Sequence, residues 1–373
     1  MLVKRIKRWA GILCWMGVFL GACGGWARAA QPAVSAESAV VLLADTGAVL
    51  YEKEAHTPRP MASTTKIMTA LLTLEAGQEL GNPVVEITEE MVAVEGSSMG
   101  LLPGDRVTLE GLAAGMLLAS GNDAANGAAL YLDGSLEQFA ERMNARAADL
   151  GMEDTWFVTP SGLDGVSLEG REHVSTAYDM ALLAQEALKN PSFQRLCSSV
   201  RATVHMEDPE RSLTLTNHNR LLTQYQGCVG VKTGFTKKAG RCLVSAAQRD
   251  GALLVAVTLH APDDWNDHAL LLDYGFSQVR TVSLDEEIPS LSLPVVGSEA
   301  ESVSVSCSGE GTSVALGPQD VLERRVYGPA FLYAPIHLGD CVGQVRWYVG
   351  DRCVAQKDLT AQEEAPLSSE KDV

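Results

Sequence analysis

The run that starts at Ala62, Ser-Thr-Thr-Lys-Ile-Met-Thr-Ala-Leu-Leu-Thr-Leu, is apolar on most sides when wound as a helix. Such a helix belongs inside a domain, so the rest of the fold must supply cover around it. Pro58 and Pro60 break the chain just ahead of it. A polar pair planted at its start is therefore conspicuous. Positions i and i+3 share a helix face, which brings Ser63 and Lys66 within side-chain reach of each other.

The neighbouring segments suit that demand. Ser38 to Leu43 is apolar and β-branched, Asp45-Thr46-Gly47 makes a tight turn, and Ala48 to Tyr51 follows, which is the pattern of a hairpin. Helices are expected over Leu109–Ala119, Asp123–Leu132, Ser135–Leu150 and Thr176–Leu188, with Asn190-Pro191 stopping the last. After Asn219 the pattern changes. Cys228–Thr236, Arg241–Gln248 and Ala252–Leu259 read as an antiparallel meander, and Trp265–Phe276 as a closing helix. From Val279, prolines and glycines punctuate short alternating segments such as Glu301–Cys307 and Gln344–Val349, with Gly350-Asp351 as a hairpin turn. This marks an all-β module of roughly 80 residues. The stretch from Thr360 is acidic and proline-interrupted, and is expected to be disordered.

The N-terminus reads as an export signal over residues 1–29: Lys4, Arg5, Lys7 and Arg8, an apolar stretch from Ala10 to Ala22, then Ala27-Arg28-Ala29 as a cleavage site. A second reading competes, because Leu20-Gly21-Ala22-Cys23 resembles a bacterial lipoprotein signal that ends in a lipidated Cys23. Ordinary cleavage is the expectation. Lipid on Cys23 is the one route to a membrane surface, and the location is outside the cytoplasm, at the cell envelope. The formal net charge is −18, and the five cations of residues 1–29 are lost on cleavage. A body that acidic repels phosphates, which excludes a nucleic-acid partner. Six cysteines beyond the leader (Cys197, Cys228, Cys242, Cys307, Cys341, Cys353) allow fifteen pairings, and the sequence does not choose among them. No histidine pattern suits a metal site, and no cofactor is expected. Each histidine reads as a surface or structural side chain, His218 included.

Three short motifs stand in order: Ser63-x-x-Lys66, Ser120-x-Asn122 and Lys232-Thr233-Gly234. Each alone is weak, since a helix cap and a strand-end turn use the same residues. Together, at a helix start, a helix–helix loop and a strand, they point to acyl chemistry. A free serine hydroxyl is a poor nucleophile at neutral pH and needs a base. Lys66 can serve once burial by Ile67, Met68, Ala70 and Leu71 disfavours its ammonium form, and Lys232 across the cleft adds to that. The start of the buried helix aims amide dipoles at a developing oxyanion. Thr233 and Lys232 offer a hydroxyl and a cation to a substrate carboxylate.

The three motifs and their surroundings resemble the D-alanyl-D-alanine carboxypeptidases among the low-molecular-mass penicillin-binding proteins. The resemblance rests on Pro60–Ala70, Leu118–Ala125 and Gly230–Thr236, with Pro160-Ser161-Gly162-Leu163, His173–Ala177 and Thr216-Asn217-His218-Asn219 beside them. It implies an α+β fold: a β-lactamase/transpeptidase-like domain, an antiparallel sheet with helices on both faces, followed by a small all-β domain. The implied domains are a signal peptide (1–29), a penicillin-binding D,D-peptidase (33–278), the β-domain (279–358) and an acidic tail (359–373). It also implies removal of the terminal D-alanine from peptidoglycan pentapeptides, with β-lactam antibiotics as covalent inhibitors. Ser63 is then the nucleophile, Lys66 the general base and Ser120 a proton relay. Asn122 holds the acyl chain, Lys232 and Thr233 the terminal carboxylate, and the amides of Ser63 and Phe235, beside Gly234, form the oxyanion hole.

There are departures from the family pattern. The acidic tail is unlike the amphipathic membrane helix with which the family often ends. Gly121 precedes Asn122 where class A β-lactamases use aspartate, and their ExxLN stretch is absent, which favours the peptidase over a β-lactamase. A turnover-deficient sensor and an endopeptidase acting on cross-linked peptides remain as alternatives.

Overall fold

Strand β1 (Ser38–Leu43) is buried at every position, so it must have cover on both faces. In the computed structural model, which describes residues 30–207, 210–284, 291–307 and 311–368, it has that cover and a neighbour on each edge. The leader 1–29, Cys23 within it, and residues 369–373 lie outside the described residues.

β2 (Val49–Lys53) returns beside β1 through the expected turn. The buried helix does not begin at Ala62. A 3-10 turn, Ala62–Thr65, comes first, and helix α1 runs over Lys66–Leu80. Ala62 lies at φ +50°, which cannot open an α-helix, and the hydroxyls of Thr64 and Thr65 bond back to the carbonyls of Met61 and Ala62. β3 (Val84–Glu86), α2 (Glu89–Val92) and β4 (Arg106–Thr108) lead to α3 (Leu109–Leu118), whose first turn is capped by the Thr108 hydroxyl. α4 (Asn122–Asp133), α5 (Leu136–Asp149) and α6 (Ala177–Ala187) follow, the last two capped by Ser135 and Thr176.

Asn190-Pro191 is a start and not the expected stop. The Asn190 side chain accepts the N–H groups of Ser192 and Phe193, Pro191 takes the first helical position, and α7 (Pro191–Ser198) results. A hairpin, β5 (Arg201–Met206) and β6 (Arg211–Thr216), and the short α8 (Leu221–Gln224) precede the meander β7 (Cys228–Thr236), β8 (Gly240–Arg249) and β9 (Ala252–Leu259). α9 (Asp264–Gln278) closes this unit.

The central sheet has the order β2-β1-β9-β8-β7 and is antiparallel throughout. Its two faces follow from strand alternation. Val40 and Leu42 join the core formed with Met68, Leu71 and Leu74 of α1. Val41 faces the other way, against α9, where Gly275 lets the helix sit so close that a Cβ there would come within 3.0 Å of Val41. Helices thus cover both faces, the architecture expected. The carboxylate of Asp267 on α9 accepts the N–H groups of Ser35 and Ala36 and the Ser35 hydroxyl, pinning the segment that leads into β1.

A second compact unit begins at Val279. It holds β10 (Arg280–Ser283), β11 (Leu291–Val296), β12 (Ser302–Cys307), β13 (Ser313–Leu316), β14 (Leu322–Tyr327), β15 (Leu332–Tyr333), β16 (Cys341–Val349) and β17 (Arg352–Ala361). β10 pairs with β13, and the other six form one sheet in the order β14-β16-β17-β12-β11-β15 around Val303, Val305, Val345, Trp347 and Leu359. The tail expected to be disordered from residue 359 is ordered as far as it is described. β17 is an inner strand through Ala361, the Gln362 N–H bonds to the Ser304 carbonyl, and Ile336 and Ala365 exchange hydrogen bonds. Leu359, Ala361 and Ala365 are all buried, and that spaced apolar set offsets the surrounding acids. Cys197, Cys228, Cys242, Cys341 and Cys353 are free thiols.

Candidate active site

The opening of α1 buries a lysine completely, and the fold answers with partners. Lys66 Nζ stands 3.0 Å from Ser63 Oγ and 2.7 Å from Asn122 Oδ1, and it also donates to the Ser161 carbonyl. The Asn122 amide is oriented by its other end, where Nδ2 donates to the Glu95 carbonyl at 2.6 Å. Asn122 Oδ1 and Ser161 O can only accept, so together they engage two protons of Lys66. A neutral amine has two protons and one lone pair, and the direction left for the lone pair is toward Ser63 Oγ.

Electrostatics favour that neutral form. The Lys66 pKa is held well below the usual lysine range, first by burial and then by the field of Lys232, with Asp123 pulling weakly the other way. Lys232, on β7, is itself buried and pushed down to about 7 by desolvation. Its Nζ donates to the Thr233 carbonyl at 2.8 Å. His218 is solvent-exposed, and its pKa is lowered by partial desolvation and then by Lys232.

Backbone geometry brings the strand to the turn. Gly234 lies against the 3-10 turn, where a Cβ would sit 3.1 Å from the Ser63 and Thr64 nitrogens. Gly162 is tighter still: at φ +82°, its Cβ would meet the Ala62 carbonyl oxygen at 2.1 Å. Ser120, between α3 and α4, is buried at φ +58°, a conformation uncommon for a residue with a Cβ and often found at functional sites. Phe235 is 66% exposed beside Gly234.

Of the expected residues, Ser63, Lys66 and Asn122 meet through direct hydrogen bonds, and Lys232 acts on Lys66 through its field. Among the described residues, the side chains of Ser120, Thr233 and Phe235 make no hydrogen bond to that group. Ser161 carries no role in the sequence reading, although its segment stood out there. It acts through a backbone carbonyl, which leaves no mark in residue type. Asp123 was missed as well. Its carboxylate accepts the N–H groups of Met99, Gly100 and Leu101 and the Ser98 hydroxyl, fastening the loop whose Glu95 and Ser97 carbonyls hold Asn122. A buried acid next to a motif asparagine was the available signal. Among the described residues no cluster of three or more His, Cys, Asp or Glu side chains is arranged to hold a metal ion.

Comparison with known proteins adds to this geometry. The family described as D-alanyl-D-alanine carboxypeptidase matches residues 26–263. The D-alanyl-D-alanine carboxypeptidase DacF of Bacillus subtilis is 32% identical over 355 residues, covering 93% of this chain and 88% of that protein. DacB2 of Mycobacterium tuberculosis is 34% identical over 289 residues, 74% of this chain and 97% of that protein. Among solved structures, the Streptomyces K15 DD-transpeptidase superposes with a TM-score of 0.63 at 31% identity, over 67% of this chain and all of that one. DacD of Francisella tularensis does so with a TM-score of 0.61 at 26% identity, over 94% of this chain and 99% of that one.

Proposed function

The chain belongs to the family of D-alanyl-D-alanine carboxypeptidases, and from that premise we propose how its side chains divide the reaction. It is a serine-type hydrolase that takes the terminal D-alanine from peptidoglycan peptides through an acyl-enzyme, and its family binds penicillin-type inhibitors. Ser63 Oγ attacks the carbonyl carbon between the two D-alanines while its proton passes to Lys66 Nζ. The observation that carries this assignment is the buried Lys66 amine 3.0 Å from Ser63 Oγ, with acceptors engaging its other protons.

The remaining roles are those that membership of the family implies. The oxyanion of the tetrahedral intermediate is met by the backbone N–H groups of Ser63 and Phe235. Ser120 relays the proton held by Lys66 to the departing amine as the C–N bond breaks and D-alanine leaves. Asn122 holds the acyl chain, and the Lys232 ammonium and Thr233 hydroxyl hold the terminal carboxylate. Gly234 contributes by having no side chain, which lets this strand approach the serine turn. Water then attacks the ester and frees Ser63.

A Ser63→Ala variant, with native circular dichroism, is expected to gain no penicilloyl mass and to release no D-alanine from a peptide ending in Lys-D-Ala-D-Ala. A penicilloyl adduct on that variant would remove Ser63 from the mechanism.

We further assign the peptidase to residues 33–278 and the β-domain to the segment from 279 through Ala365, with residues 1–29 directing export to the cell envelope. Among the described residues no helix is long and apolar enough to cross a membrane. The mass of the mature N-terminal peptide tests the leader. A start near Ala30 fits simple cleavage, and a diacylglyceryl cysteine at position 23 makes the chain a lipoprotein.

A further inference from the structure

His173 is buried and takes no part in the steps above. Its ring is nonetheless fully engaged. Nδ1 accepts the N–H of Val158 at 2.8 Å and of Thr159 at 3.3 Å, so the ring proton sits on Nε2. Nε2 stands 2.8 Å from Thr65 Oγ1 and donates to it. Thr65 Oγ1 in turn donates to the Ala62 carbonyl at 2.8 Å. Burial, and then the charge of Lys66, push the His173 pKa down to about 3, so the ring stays neutral and this one tautomer persists.

The end of the chain of bonds gives it meaning. The Ala62 carbonyl and the Ser63 N–H belong to one peptide unit, which is planar and trans, so the two groups point in opposite directions. Holding the carbonyl on the Thr65 side aims the N–H away from it. Ala62 lies at φ +50°, where a residue with a Cβ needs outside support, and Gly162 closes in on the same carbonyl.

We propose that His173 is a positioning residue for the oxyanion hole, fixing the Ala62–Ser63 peptide plane through Thr65 Oγ1. This rests on the reading of the Ser63 N–H as an oxyanion donor. The link acts on the tetrahedral state and leaves substrate binding alone, because neither His173 nor Thr65 reaches into the cleft as a ligand.

The test compares His173→Leu, Thr65→Val, their double variant and the conservative Thr65→Ser. Losing an oxyanion donor outright costs about 10²–10³ in rate. Misaiming one is expected to slow penicillin acylation about 10- to 100-fold in each single variant, with KM for the peptide unchanged. The double variant falls no further than the slower single, since both break one link. Thr65→Ser restores the rate. Affinity for a peptide boronic acid, which forms a tetrahedral adduct on the serine, falls in step with acylation. Should His173→Leu fail to fold, Thr65→Val carries the test. Wild-type rates in Thr65→Val, or additive losses in the double variant, overturn the proposal. An unacylated wild-type enzyme would instead overturn the reading of Ser63 on which it stands.

Discussion

Lys232 lowers the pKa of the buried Lys66 across the cleft, while its own pKa is lowered by burial alone. One of the two must be neutral to take a proton from Ser63, and the other must be charged to hold a carboxylate.

A pH profile follows. In the free enzyme, kcat/KM rises with pH as Lys66 loses its proton and falls as Lys232 loses its own near pH 7. A bound carboxylate favours the Lys232 ammonium, so the alkaline limb of kcat lies at higher pH than that of kcat/KM. Lys232→Arg keeps its charge and should abolish the alkaline limb. An alkaline limb that persists unchanged in Lys232→Arg would assign it to another group.

The same burial costs stability. The Lys232 pKa is about 7 in the folded chain and about 10.4 unfolded, so the folded state binds fewer protons between those values and gains stability as pH rises through them. The penalty is full below pH 7. Lys232→Met is expected to raise the melting temperature, most below pH 7 and less toward pH 10, while carboxypeptidase activity is lost. A melting temperature that falls at pH 6 would contradict this.

Two buried histidines act on the acid side. His173 and His268 have pKa values of about 3 in the fold, against an unfolded value of about 6.5. The unfolded chain therefore binds two more protons in that window, and stability falls as pH drops from 6.5 toward 3. Each histidine contributes about 1.4 kcal/mol per pH unit. Calorimetry across that range should show His268→Asn with a slope shallower than wild type by one proton.

The glycines that seat the serine turn differ in tolerance. Gly162→Ala places a Cβ against the Ala62 carbonyl at a left-handed φ, and is expected to cost about 2 kcal/mol or more together with acylation. Gly234→Ala meets nitrogen atoms at 3.1 Å, which a small shift relieves. It should fold and acylate about 10-fold more slowly, since small misplacements at a reacting centre are costly. Denaturant melts and stopped-flow penicillin acylation read both.

Much of this site is legible in the sequence because its chemistry sits in side chains at fixed spacing. Ser63 and Lys66 share a helix face, and Lys232 stands on a strand read from its alternation. The Ser135 and Thr176 caps also stand where helix starts are expected. The contacts that escape such reading run through the backbone or join distant segments. The Ser161 carbonyl has no residue signature, and the grip of Asp123 on Met99, Gly100 and Leu101 becomes visible only once the chain has folded back. Asn190-Pro191 misled for another reason: the same pair that ends one helix caps the next. The tail misled because three buried apolar residues count for more than the acids between them.

The tether of Ser35 to Asp267 spans 232 residues of chain, and β1 is flanked by β9 along one edge. The first strand of the peptidase unit therefore waits for the last before the sheet can close. Contacts of such long range make folding slow and late. Nothing shorter than nearly the whole unit can assemble Ser63 against Gly234 and Lys232, so a chain cut before β9 should hold no remnant of activity. A nascent polypeptide of this design stays unclosed, with no assembled cleft, until its final helix has been made.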